Sequence, residues 1–147
     1  MPYAYTWDDH DFGNDNSIGS QPAAAAQQLN YRNIFPSHPL ELSSGAIYQA
    51  FTIGRVRIVM PDVRSERGTL ASAVMISAAQ MTWLKQEMTD MAANPNLKAF
   101  VLATGVQWTD NSRTETWHRA QAQRTELTDH AVALGINLRM VAVSSNL

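Results

Sequence analysis

The residues best suited to chemistry crowd near the start of the chain. Thr6-Trp7-Asp8-Asp9-His10-Asp11-Phe12-Gly13-Asn14-Asp15-Asn16 brings four carboxylates, one imidazole and two carboxamides together, and no lysine or arginine precedes Arg32. Carboxylate and carboxamide oxygens are the donors that hard divalent or trivalent cations prefer, and a cation would relieve the mutual repulsion of the acids. The alternative is a solvated acidic loop whose Asp and Asn side chains satisfy turn N–H groups. An EF-hand calcium loop fits poorly, because its alternating ligands run to a Glu at the last loop position and none follows here.

Further candidates stand beyond apolar stretches. Asp62 and Arg64 follow one that ends at Met60, where an arginine could grip a phosphate bidentately. The competing reading pairs Arg64 and Arg67 with Asp62 or Glu66 to hold the loop. Trp108 and Asp110 occupy a later loop, with Trp108 read as wall or core, and Asn146 follows the last apolar run. His38, His118 and His130 read as surface or cap residues. Neither a glycine-rich phosphate loop, a His-Glu-x-x-His pair nor a nucleophile elbow occurs, which leaves P-loop, zincin and hydrolase-triad readings without support.

The elements that must position these groups are legible in the apolar pattern. Residues 1–45 lack regular periodicity and read as mostly loop, with a turn or two of helix in the alanine run at residues 23–26. Ile47, Gln49, Phe51 and Ile53 alternate with their neighbours, as do Val56, Ile58 and Met60 after Gly54, which predicts two strands joined by a tight turn. Pro61 ends the second strand. After a polar loop over 61–76, Ser77 and Gln80 have the spacing of a capping box, and Met81, Leu84, Met88 and Met91 form one helical stripe that Asn94-Pro95 stops. Residues 98–103 read as a buried strand. A second helix is expected from a cap at Ser112 or Thr114 to Gly135, with Trp117, Ala120, Leu127, Ala131 and Leu134 as its stripe, and residues 138–143 as a last strand. A hairpin followed by strand-helix-strand-helix-strand predicts an α/β class with largely parallel later strands. In such sheets ligands sit at the carboxyl ends of the strands, so the loops after Met60, after Ala103 and after Val143 should share one rim.

Composition bounds the function. The 147 residues carry a formal charge of −2 with their basic groups dispersed, which argues against a nucleic-acid partner bound through a basic face. The apolar runs fall far short of the ~20 residues of a membrane-spanning helix, so no membrane partner is expected. The absence of cysteine excludes disulfides and thiolate metal sites. The acidic start lacks the basic and apolar regions of a secretory leader, so no signal peptide is expected and the compartment stays open.

Taken together, the motifs resemble a known family. Trp7-Asp8-Asp9-His10-Asp11-Phe12-Gly13, then Gly45-Ala46-Ile47-Tyr48-Gln49-Ala50-Phe51 and Gly54-Arg55-Val56-Arg57-Ile58, resemble the alkaline phosphatase D (PhoD-like) metallophosphoesterases. Asp62-Val63-Arg64-Ser65 is similar to that family's Asp-x-Arg-Ser, and Gln80-Met81-Thr82-Trp83-Leu84 to its Gln-x-x-Trp-Leu helix. The segments around Trp108, Glu115-Thr116-Trp117 and Arg124-Thr125-Glu126-Leu127 continue the likeness. The resemblance implies an αββα sandwich and a binuclear metal centre, of iron and calcium or other divalent cations, that activates water to attack a phosphate ester. It places Asp9 as a metal ligand, His10 as the catalytic group that contacts phosphate and assists the leaving group, and Asp11 as the residue orienting it.

It also implies ligands that this chain does not show. In the family an Asp-bearing strand end and a Gly-Asp-x-x-Tyr-like segment precede the Asp-His-Asp stretch, and Val-Ser-Gly-Asp-x-His follows the last strand. Here Val143-Ser144-Ser145-Asn146-Leu147 puts Asn146 where the Asp is expected. The expectation is one partial domain over residues 1–147, an internal piece of a phosphoesterase with little or no activity of its own. Its uncovered edge or face would favour self-association or a complementing polypeptide. The rival expectation is a non-catalytic α/β binding or interaction module with an acidic cation-binding loop.

Overall fold

Alternating apolar side chains over 49–60 fold as a hairpin. Strands β1 (Gln49–Ile53) and β2 (Val56–Met60) pair antiparallel from Gln49↔Met60 to Ile53↔Val56. Gly54 takes φ of +59° in the connecting turn, a conformation that costs a residue with a Cβ. The computed structural model describes residues 4–35, 40–109 and 115–144. Asp110, Asn146, His38 and the expected caps Ser112 and Thr114 lie outside the described residues.

Helix α1 (Asp9–Phe12) and helix α2 (Ala24–Ile34) precede the hairpin. The expected loop over 1–45 is thereby corrected: α2 runs for 11 residues, well past the alanine run. It has no side-chain cap, and what supports it is tertiary packing. Tyr31 is buried against Trp7, ring centroids 5.1 Å apart, and stacks at 6.0 Å on Tyr5. These rings, with Phe12, Ala24 and Ile47, form a small core distinct from the main one.

Helix α3 (Ala78–Ala93) begins where the Ser77 hydroxyl accepts the Gln80 N–H, and it buries Met81, Leu84, Met88 and Met91 as the spacing predicts. The reciprocal half of the capping box is absent, because the Gln80 side chain turns into the loop after β2. Its Oε1 accepts the Asp62 N–H at 2.6 Å, while its Nε2 donates to the Asp62 carbonyl at 3.1 Å and to Glu66 at 3.0 Å. Strand β3 (Ala99–Thr104) then pairs parallel with β2, and β4 (Met140–Ser144) parallel with β3, giving the order β1-β2-β3-β4. The class is α/β, with an open, mixed four-stranded sheet.

The second long helix starts later than its pattern suggests. Helix α4 spans Gln121–Ala133, and Trp117 sits in the turns before it. There the indole is fully buried and donates to the Thr104 hydroxyl at 3.0 Å. A polar N–H on a core side chain needs such a partner, and the end of β3 supplies it. Helices α3 and α4 pack on one face of the sheet, where Val59, Phe100 and Leu102 are fully buried with Leu84, Met88 and Leu127. His130, expected as a surface or cap residue, ties the two helices instead: its Nε2 lies 3.1 Å from the Lys85 carbonyl and 3.2 Å from the Thr89 hydroxyl. On the opposite face Ile53, Val141 and Val143 remain more than half exposed. Among the described residues no second sheet covers that face and no helix is long and apolar enough to cross a membrane.

Candidate cation and anion-pair site

The acidic segment lies across the carboxyl ends of β2 and β3. Gly105 marks the crossing, since a Cβ there would stand 2.7 Å from the Trp7 carbonyl oxygen and 3.6 Å from Val63. The loops after β2 and β3 therefore share a rim, as the sheet topology requires.

On that rim α1 is closed by its own acids. Asp8 is the N-cap, accepting the Asp9 N–H at 2.9 Å, and the Asp11 carboxylate accepts the Asp8 N–H at 3.1 Å in a capping box. Asp11 was expected to orient His10. It caps the helix instead and stands beside the Tyr5 phenol, whose pKa is pushed up by burial and further by this carboxylate.

Asp9 holds the turn that follows. Its Oδ1 accepts the His10 N–H at 2.9 Å and its Oδ2 accepts the Asn16 N–H at 3.1 Å, with Asn16 at φ +61°, a left-handed position that Asn tolerates. Burial pushes the Asp9 carboxyl up, but the Asn16 N–H, the Arg64 charge, the His10 N–H and the His10 ring together outweigh it, so the pKa is lowered. This turn brings ligand atoms of Asp9, His10 and Asp15 within 4.8 Å of one another, with His10 and Asp15 exposed. Asp15 belongs to the acidic segment but carried no individual assignment; only the backbone turn shows that it joins the other two.

The donor set suits one hydrated cation. Two carboxylates and an imidazole leave room for the several waters that small divalent ions retain. It does not suit a pair: two metals at catalytic spacing need roughly four or more ligands each, and the described residues hold one such cluster.

Asp62 and Arg64 stand on the rim but face inward. Asp62 is fully buried, and four N–H groups converge on its carboxylate: the Trp7 indole at 2.8 Å, the backbone of Ile47 at 2.8 Å, and those of Arg64 and Ser65 at 3.0 Å each. It joins the amino-terminal segment, the chain entering β1 and the loop after β2. Arg64 is 1% exposed. Its Nε and Nη2 donate to Asp8, its Nη1 and Nη2 to Glu115 at 3.1 and 3.0 Å, and its Nη1 also faces the Ser17 carbonyl at 3.5 Å. All five guanidinium hydrogens thus have protein acceptors. Arg67 lies 2.9 Å from the same Glu115 carboxylate. The reading in which arginines hold the loop is correct in kind, but the partners are Asp8 and Glu115 in place of Asp62 and Glu66.

Burial and ion pairing act against each other on these charges. Desolvation works to lower the Arg64 pKa, but Glu115 and Asp8 together raise it; Arg67, with fewer compensating bonds, is lowered by burial. Asp8 is raised, because burial outweighs its contact with Arg64. Glu115 is the residue that sequence reasoning missed, since its arginine partners lie some fifty positions away and no periodic signal links them. Trp108 forms a half-buried wall, 5.1 Å from Trp117, and its carbonyl accepts from Arg124 at 3.0 Å. Comparison of the chain with protein-family models, with curated proteins and with solved structures gives no match in any of the three.

Proposed function

We propose that the chain is a PhoD-like metallophosphoesterase domain whose acidic turn binds one hydrated divalent cation, with little or no hydrolysis of phosphate esters as it stands. The observation that carries this reading is the convergence of Asp9, His10 and Asp15 beside the buried Arg64. The motif resemblance supplies the reaction class, and the ligand count supplies the low turnover. In this reading His10 contacts the phosphoryl group, and the exposed face of the sheet is where a further layer of the αββα sandwich, a second copy or a complementing polypeptide packs.

Thermal unfolding with added cation tests it. A site saturated a hundredfold above its dissociation constant stabilises by about 2.7 kcal/mol, which for a chain of this size raises the melting temperature by roughly 5–11 °C. The rise is expected with manganese, calcium or iron and is expected to vanish in Asp9→Ala. A rise that Asp9→Ala leaves intact refutes the assignment. Hydrolysis of chromogenic mono- and diesters, with chelator and His10→Ala as controls, then measures the residual activity.

A second reading has its own support. The complete use of Arg64 donors and the burial of Asp62 suit a structural loop in a non-catalytic α/β binding module with an acidic cation-binding turn. Chelator-sensitive, His10-dependent turnover excludes the module, whereas complete inactivity of the folded, cation-loaded chain favours it.

A further inference from the structure

Two guanidinium groups grip one carboxylate at the rim. Arg64 engages Glu115 in a fork, Nη1 to Oε1 at 3.1 Å and Nη2 to Oε2 at 3.0 Å, and Arg67 Nη1 approaches Oε1 at 2.9 Å from another direction. Forked pairing of this kind recognises carboxylate and phosphate oxygens equally well in geometry. Side-chain exposure orders the three groups: Arg64 at 1% and Arg67 at 4% lie beneath Glu115 at 18%. Glu115 is the most exposed of the three, and its withdrawal would free the donors it occupies on both arginines.

Two more features favour an anion there. Arg67 Nη1 is buried and, although 2.9 Å from Glu115 Oε1, makes no well-directed hydrogen bond, so its donors are incompletely used. Arg67 also lines a shallow cleft with Thr69, Met75, Arg119 and Ala120, which adds a second cation and no carboxylate. Asp8 keeps the Arg64 Nε and one Nη2 hydrogen when Glu115 leaves, so one Nη1 and one Nη2 hydrogen are freed.

We propose that Arg64 and Arg67 form an oxyanion cradle filled by the chain's own Glu115 carboxylate, and that a phosphate-class anion enters by displacing Glu115. Glu115 acts as an internal stand-in for the ligand and holds the site closed without it. The choice of phosphate rests on the phosphoesterase reading, whereas the cradle rests on the two arginines alone.

Titration calorimetry of the full chain with inorganic phosphate, in chelator so that no metal contributes, provides the test. Glu115→Gln is expected to bind phosphate at least tenfold more tightly than the unsubstituted chain, and Glu115→Gln with Arg67→Gln is expected to lose that gain. Phenyl phosphate titrated in parallel tells an ester's phosphoryl group from free phosphate, the tighter of the two naming the ligand. Equal phosphate affinities with and without Glu115→Gln overturn the proposal, as does a gain that survives Arg67→Gln. Should Glu115→Gln not fold, Glu115→Asp keeps the charge but retracts it by one methylene, and it must also bind phosphate more tightly than the unsubstituted chain. A phosphate gain in Glu115→Gln that Arg67→Gln removes, in a chain whose melting temperature ignores cations, upholds the cradle and refutes the cation site; a cation response with equal phosphate affinities does the reverse.

Discussion

Asp62 is the position at which a structural and a substrate-binding role lead to opposite measurements. Its Oδ1 accepts three N–H groups, from Trp7, Arg64 and Ser65, and its Oδ2 accepts one, from Ile47, all within a fully buried site. Asp62→Asn keeps the shape but must place an amide NH₂ against at least one of these donors. The orientation that costs least turns Nδ2 toward the Ile47 N–H, losing one hydrogen bond to a charged acceptor and stranding a buried donor. A charged hydrogen bond contributes about 1.5–3 kcal/mol and an unsatisfied buried group costs about 1–3 kcal/mol, so about 3 kcal/mol is expected. For a chain of this length that lowers the melting temperature by roughly 6–12 °C. Asp62→Ala strands all four donors and is expected to remove most of a typical stability of about 5–15 kcal/mol. Thermal and urea unfolding followed by circular dichroism measure both. An Asp62→Asn chain that melts within about 2 °C of the unsubstituted chain would show that the carboxylate does not hold the three segments together, and would return Asp62 to the substrate-binding role that its rim position suggests.

Trp117→Phe opens a small cavity at a fully buried position and leaves the Thr104 hydroxyl without its indole donor; a loss of about 2–4 kcal/mol in urea unfolding is expected, and Thr104→Val added to Trp117→Phe should recover the hydrogen-bond part of it. On the acid side, Asp9 has a lowered pKa, so its contribution is present above its unfolded value near 4 and is lost as pH falls through its folded value. The stability gap between the unsubstituted chain and Asp9→Asn should therefore close as pH falls below about 4, and a gap that persists there would refute the pairing. On the alkaline side, Tyr5 and Tyr48 have raised pKa values, chiefly through burial, so their contribution is whole below about pH 10 and is lost above it; Tyr5→Phe should flatten that decline.

Much of the fold was legible because it follows from local periodicity. The period-two alternation on either side of Gly54 defines the hairpin, and the methionine and leucine spacing after Ser77 defines α3, since a buried stripe needs little more than its own positions to be recognised. Helix α2 was harder to see, because its sequence is polar and uncapped and its support comes from Trp7 and Tyr5. The late start of α4 was hidden for a similar reason: Trp117 fits a helical stripe by number, yet its indole N–H is held by Thr104 on a different element.

For the candidate site the division is sharper. Residue types alone establish that Asp8 to Asn16 is a dense oxygen-donor segment and that Arg64 and Asp62 follow a strand, because composition and spacing are properties of the chain itself. Which donors converge is a property of the folded backbone. The turn at Asn16 joins Asp15 to Asp9 and His10, while the capping box withdraws Asp11 and Asp8. Burial gives Arg64 and Asp62 protein partners drawn from segments as far as 56 positions away, Glu115 among them. An ion pair carries no sequence period, and a buried charge is specified only by the partners that the tertiary structure brings to it.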